Sequence, residues 1–147
     1  MEQAAVRGFN AFILHLKKSV IMFGKTKAFS SFSVNDLQQA KNFYQETLGI
    51  EVVSAGKEPV ITLKIAGIPS VWIYEKPDHT PATFTVLNFQ VSNVEEAVDQ
   101  LTAKGVKFQQ YEGELKTDEK GIFRGGGPVI AWFADPAGNI LSVVEEG

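Results

Sequence analysis

Ala28–Ile50 reads AFSSFSVNDLQQAKNFYQETLGI, and its pattern returns at Thr85–Val106 as TVLNFQVSNVEEAVDQLTAKGV. Phe32-Ser33-Val34-Asn35-Asp36 falls on Phe89-Gln90-Val91-Ser92-Asn93, and Ala40 falls on Ala97. Gly49 meets Gly105 after one deleted residue. Each copy is an apolar-rich strand, a capped amphipathic helix, a glycine stop and a further strand. A pattern written twice, and no more, means two pseudo-equivalent halves rather than a stacked repeat array.

Working outward, Asn35 and Ser92 are the expected helix caps, with Gln38 and Glu95 three residues on. Leu37, Ala40, Tyr44 and Leu48 recur at helical spacing, as do Val94, Ala97, Val98 and Leu101. Each helix therefore has one apolar stripe to lay on a sheet, and Gly49 and Gly105 stand where a left-handed stop is needed. Glu51–Ser54, Val60–Ala66 and Ser70–Glu75 read as strands after the first helix. After the second come a strand at Lys107–Tyr111, a charged, Gly-rich loop at Glu112–Gly127, and a hairpin, Val129–Ala134 with Ile140–Glu145, around Asp135-Pro136-Ala137-Gly138. The order is βαβββ twice. The expected fold is α+β: paired modules forming a curved, mostly antiparallel eight-stranded cup with helices on the outer face. Residues 23–147 are read as a single domain with modules at about 23–78 and 83–147.

Bulk properties narrow the functions. A net charge of −3 gives no basic stripe for nucleic acid. The absence of cysteine excludes disulfides, thiolate metal sites and Cys nucleophiles, and suits a reducing compartment; a cytoplasmic protein is expected. Hydrophobic residues at 44% and charged residues at 21% are ordinary for a folded chain. Residues 1–22 form an N-terminal extension. Its apolar piece, Gly8–Leu16, is too short to span a bilayer, so no membrane role is expected. A short peripheral helix over about Gln3–Lys18 is one reading, and a non-native extension upstream of Met22 is the other.

Period-two alternation sorts the strands. Phe32, Val34, Val71, Ile73, Leu87, Phe89, Val91, Leu141 and Val143 should face the helices. The opposite face then takes Phe29, Ser31, Ser33, Trp72, Tyr74, Val86, Asn88, Gln90, Ile130, Trp132, Ser142 and Val144. That set is aromatic with interspersed hydroxyls and amides, the composition of a lined pocket.

FSVNDLQQAKNFYQETLGIEVV, NFQVSNVEEAVDQLTAKGVKF and IAWFADPAGNILSVVEE resemble the vicinal oxygen chelate superfamily of glyoxalase I, bleomycin-resistance proteins, fosfomycin-modifying enzymes and extradiol dioxygenases. The likeness covers about Phe23–Glu146. It implies a cup that in catalytic members holds a divalent metal through His or Gln, His, and Glu. By position those ligands fall on Phe29, Val86 and Ser142, and a further carboxylate position lands near Trp72 or Tyr74. Phenyl, isopropyl and indole offer no lone pair, and a neutral hydroxyl is a poor substitute for imidazole or carboxylate. The expectation is therefore no metal and no cofactor.

His79, in Pro77-Asp78-His79-Thr80-Pro81, is read as a solvated loop histidine, with a base or anion contact at the cup mouth as the alternative. Arg124 in Arg124-Gly125-Gly126-Gly127-Pro128 is either on a mobile lid over an anionic ligand or in a plain linker. No Ser–His pair is placed, so no nucleophile is assigned. The expectation is a metal-free cup binding a small, partly aromatic organic molecule. Its contacts would be Phe29, Ser31, Trp72, Tyr74, Val86, Asn88, Gln90, Arg124, Trp132 and Ser142. The resemblance further implies a homodimer. The alternatives are a metal-dependent lyase or dioxygenase with shifted ligands, and an interaction module whose cup is filled.

Overall fold

Ser30–Val34 alternates serine with large apolar residues, and the computed structural model, which describes residues 22–54 and 56–147, makes it the first strand, β1. The expected helix near Gln3–Lys18 lies outside the described residues. Helix α1 spans Leu37–Asn42 and runs on into a π turn at Phe43–Thr47. Then come β2 (Glu51–Ser54), β3 (Val60–Lys64), β4 (Val71–Glu75) and β5 (Thr85–Val91). Helix α2 is Val94–Ala103, followed by β6 (Ile122–Phe123), β7 (Ile130–Ala134) and β8 (Ile140–Glu145). Among the described residues no helix is long and apolar enough to cross a membrane.

The architecture is the expected α+β fold, with the eight strands of the described residues divided four and four. One sheet has the order β1-β4-β3-β2, the other β5-β8-β7-β6. In each, the first and fourth strands pair parallel and the rest antiparallel. Neither sheet closes on itself, in keeping with a curved cup.

The repetition extends to single hydrogen bonds. The first helical N–H of α1, from Leu37, donates to Glu75 Oε2 at 2.8 Å; that of α2, from Val94, donates to Glu145 Oε2 at 3.3 Å. Each glutamate ends the fourth strand of its own module, placing a carboxylate at a helix N-terminus that lacks backbone acceptors. Lys76 N on Val34 O and Glu146 N on Val91 O, both 2.9 Å, repeat as well.

Two expectations are corrected. The caps sit one residue later: Asp36 accepts from Gln39 N, and Asn93 from Glu96 N, both at 2.9 Å. Those two residues carry the extended backbone of an N-cap, φ −143° and −146°, leaving Asn35 and Ser92 outside the helix. The sixth strand is Ile122–Phe123 rather than Lys107–Tyr111. Both segments use the same edge of β7, end to end. Phe108 bridges Phe133 and Gln109 N donates to Trp132 O, whereas Ile122 and Phe123 pair with Ala131 and Ile130. Gly121 lets the second segment in. Its φ is +83°, and a Cβ there would lie 2.7 Å from Phe108 Cβ.

Val34, Ala40, Tyr44, Leu63 and Ile73 of the first module join Val94, Val98, Phe133, Leu141 and Val143 of the second in one buried cluster. Among the described residues no strand ladder joins the sheets, so this shared core and a few buried polar contacts connect the modules.

Candidate functional site

The sheet face turned away from the helices carries different side chains in the two modules. In the first, Val71 and Ile73 are buried while Trp72 and Tyr74 remain 42% and 38% exposed. Register places Ser31 beside Trp72 and Ser33 beside Tyr74. Phe29, just before β1, is 56% exposed and packs its ring on Trp72 at 4.5 Å between centroids. The result is a row of Phe29, Trp72 and Tyr74 flanked by hydroxyls. All three rings are exposed to solvent.

In the second module Asn88 and Gln90 are exposed, Val86 and Trp132 are half-buried, and Ser142 is fully buried. Ser142 Oγ donates to Asn88 Oδ1 at 2.6 Å, directly across the β5–β8 ladder. Val86 sits at a bulge where that ladder skips a residue. Tyr111 meets Trp132 edge-on at 5.4 Å and Phe123 leans on it at 6.3 Å. Trp132 is therefore covered by side chains from the Gln109–Phe123 segment, while Asn88 and Gln90 stay exposed. Among the described residues no side-chain hydrogen bond or ring contact joins the first module's aromatic row to the Asn88–Ser142–Trp132 group.

Arg124 stands apart from both groups. Its guanidinium holds Glu95 of α2 at 3.0 Å and Asp118 at 3.5 Å, while Lys120 bridges Glu95 and Asp99. Asp118 Oδ1 also accepts from the backbone of Lys120 and Ile122. Glu95, Asp99 and Asp118 thus tie the start of the Gly-rich segment to α2 through Lys120 and Arg124.

The three positions that the resemblance gives to metal ligands do not suit one. Phe29 is committed to a ring contact, Val86 is aliphatic, and the Ser142 hydroxyl is committed to an amide. Among the described residues no three His, Asp or Glu side chains converge.

His79, read from the sequence as a solvated loop histidine, is instead held by partners on both sides of its ring. It is half-buried at the junction of the modules, with Nδ1 2.8 Å from Ser33 Oγ and Nε2 3.1 Å from the carbonyl of Ala137. Ser33 also accepts, through its backbone carbonyl, from Asn139 Nδ2 at 2.9 Å. Behind this sits Asp135, whose carboxylate takes the Tyr44 hydroxyl at 2.8 Å, two backbone amides of its own turn, and Asn139 Nδ2. Burial, then the Asp135 charge and hydrogen bond, push the Tyr44 hydroxyl far above the usual tyrosine range. Alternation put Ser33 on the correct face; nothing in one dimension announces that a loop 46 residues on returns to it.

Between the modules on the helix side runs a groove of 450 Å³, lined among others by Leu48, Ile50, Ile65, Phe89 and Leu101. None of the aromatic row lines it.

Comparison with known proteins places this geometry. The family model described as Glyoxalase/Bleomycin resistance protein/Dioxygenase superfamily matches residues 27–143. Among solved structures, a member of that superfamily from Sphaerobacter thermophilus is 25% identical, with 82% of this chain and 98% of that one covered at a TM-score of 0.61. The fosfomycin resistance protein FosX from Listeria monocytogenes is 18% identical, covering 87% and 96% at 0.62. TnmS3, an antibiotic binding protein from Streptomyces sp. CB03234, is 22% identical, covering 84% and 98% at 0.59. At these last two identities the likeness is one of fold. No curated protein matched the sequence.

Proposed function

This chain belongs to the Glyoxalase/Bleomycin resistance protein/Dioxygenase superfamily, and from that premise we propose that it binds a small, partly aromatic organic molecule without a metal. The observation that supports this most is the exposed row of Phe29, Trp72 and Tyr74 beside Ser31 and Ser33. A flat or amphipathic ligand would gain ring contacts there, and the hydroxyls would orient its polar groups. Sequestration of an antibiotic-like compound is the nearest concrete form. A homodimer in the cytoplasm belongs to the same proposal, the second copy closing the hollow over the row.

A second reading draws on the other module. Tyr111 and Phe123 lie on Trp132, and Ser142 is fully buried, so that half suits a face closed by the protein itself. Thermal shift and calorimetry against a panel of aromatic and amphipathic compounds separate the two. A binder raises stability by mass action, and Trp72→Ala should weaken it about tenfold or more. No shift from any compound would favour the closed face. Metal analysis of the purified protein tests the remaining clause: stoichiometric zinc, nickel or iron, with stability lost in chelator, would replace this reading with a metal-dependent one.

A further inference from the structure

Ser33 and His79 have the arrangement of a nucleophile and its base. Ala137 contributes a carbonyl, which can only accept, so His79 Nε2 must carry a proton to make their 3.1 Å contact. In the neutral ring this leaves the Nδ1 lone pair facing Ser33 Oγ at 2.8 Å. A base whose tautomer is fixed by a third group, within hydrogen-bond reach of a hydroxyl, is the signature of an activated serine. The third group here is a backbone carbonyl held by a rigid turn. Ala137 N and Asn139 N both donate to Asp135 Oδ1, and Gly138 N donates to the Asp135 carbonyl at 3.0 Å.

Surroundings favour a reachable site. Ser33 and His79 are both half-buried rather than sealed. Ser33 lies on the outward face of β1, in register with exposed Tyr74, one step along from the Ser31–Trp72 pair. Its carbonyl leaves the strand toward Asn139, whereas Val34 O points the other way, to Lys76 N. In an extended residue N–H and C=O share a side, so the Ser33 amide also faces the edge of β1 away from β4. It offers a donor for an oxyanion formed on its own side chain.

We propose that Ser33 is an acylatable nucleophile, with His79 as its base, acting on aryl esters whose ring lies against Tyr74 and Trp72. Ser33 Oγ attacks the ester carbonyl and its proton passes to His79 Nδ1. The bond to the aryloxy group breaks, and that group leaves with the proton. Water, deprotonated by His79, then cleaves the acyl-serine and returns the free hydroxyl and a carboxylic acid. Because the readout is a covalent bond at Ser33, it is independent of whether the aromatic row holds a ligand tightly.

The test uses the full chain with p-nitrophenyl acetate, following p-nitrophenolate release and mapping the acetylated peptide by mass spectrometry. The expected result is a burst approaching one equivalent, with the acetyl group on Ser33. Ser33→Ala should abolish it. His79→Gln keeps one donor and one acceptor at the ring's place, so the fold is held while the base is lost, and acylation should slow about 100-fold or more. Acetyl groups only on lysines or on Ser31, or an unchanged rate in His79→Gln, would overturn the proposal. The site mapped in the wild-type protein decides it even if a variant fails to fold.

Discussion

Asp135 concentrates more of the molecule's polar design than any other described side chain. It is 4% exposed, and its two oxygens receive Tyr44 Oη, Ala137 N, Asn139 N and Asn139 Nδ2. A buried carboxylate is tolerable only when so fully supplied. Tyr44 bears the consequence, since its hydroxyl cannot ionise without placing a second negative charge against the first in a dry site. In the unfolded chain tyrosine ionises at about pH 10. Above that value the unfolded state has lost a proton that the folded state keeps, so stability falls as pH rises. Below it this contribution is intact. Tyr44→Phe should cost about 1–2 kcal/mol at neutral pH and flatten the alkaline loss between about pH 9 and 12. Denaturant titrations across that range measure both, and an unchanged alkaline slope would rule the account out.

Helix starts give the next test, because the one-residue offset between expected and observed caps has energetic content. Ser, Asn and Asp all cap well, so Asn35-Asp36 and Ser92-Asn93 are ambiguous by composition alone. The tertiary structure decides it: Asp36 and Asn93 carry the extended backbone and accept from Gln39 N and Glu96 N. Asp36→Ala and Asn93→Ala should each cost about 1 kcal/mol. Asn35→Ala and Ser92→Ala should stay within about 0.5 kcal/mol. Equal costs across each pair, measured by urea unfolding, would contradict the observed register. The misplaced sixth strand has a related cause. Lys107–Tyr111 has strand composition and does reach β7, but Ile122 and Phe123 take the regular ladder, admitted by a glycine whose need is visible only beside Phe108.

The modules repeat each other yet share one apolar cluster, and among the described residues no ladder joins their sheets. Cohesion therefore rests on side chains: the common core, Tyr44 on Asp135, Asn139 on Ser33, and His79 between Ser33 and Ala137. A cluster drawn from both halves should make unfolding cooperative. Trp72 and Trp132 supply one reporter in each module. Trp132→Phe and Trp72→Phe leave a single tryptophan apiece, and the fluorescence midpoint of each variant should coincide with its own circular dichroism midpoint. In either variant, separated midpoints would mean that the modules unfold independently.

The duplicated Ala28–Ile50 pattern, the stripes at helical spacing and the strand alternation were enough to determine the α+β fold and the βαβββ order. Those properties follow from local periodicity, which a linear chain carries in full. At the positions that the resemblance gives to metal ligands, the residue types Phe29, Val86 and Ser142 are likewise read directly from the chain. Tertiary structure alone decided the rest: that Arg124 pairs with Glu95 and Asp118, that Trp132 is covered by Tyr111 and Phe123, and that His79 returns to Ser33. Each depends on where a loop lands in space, and loop closure leaves no periodic trace in the sequence.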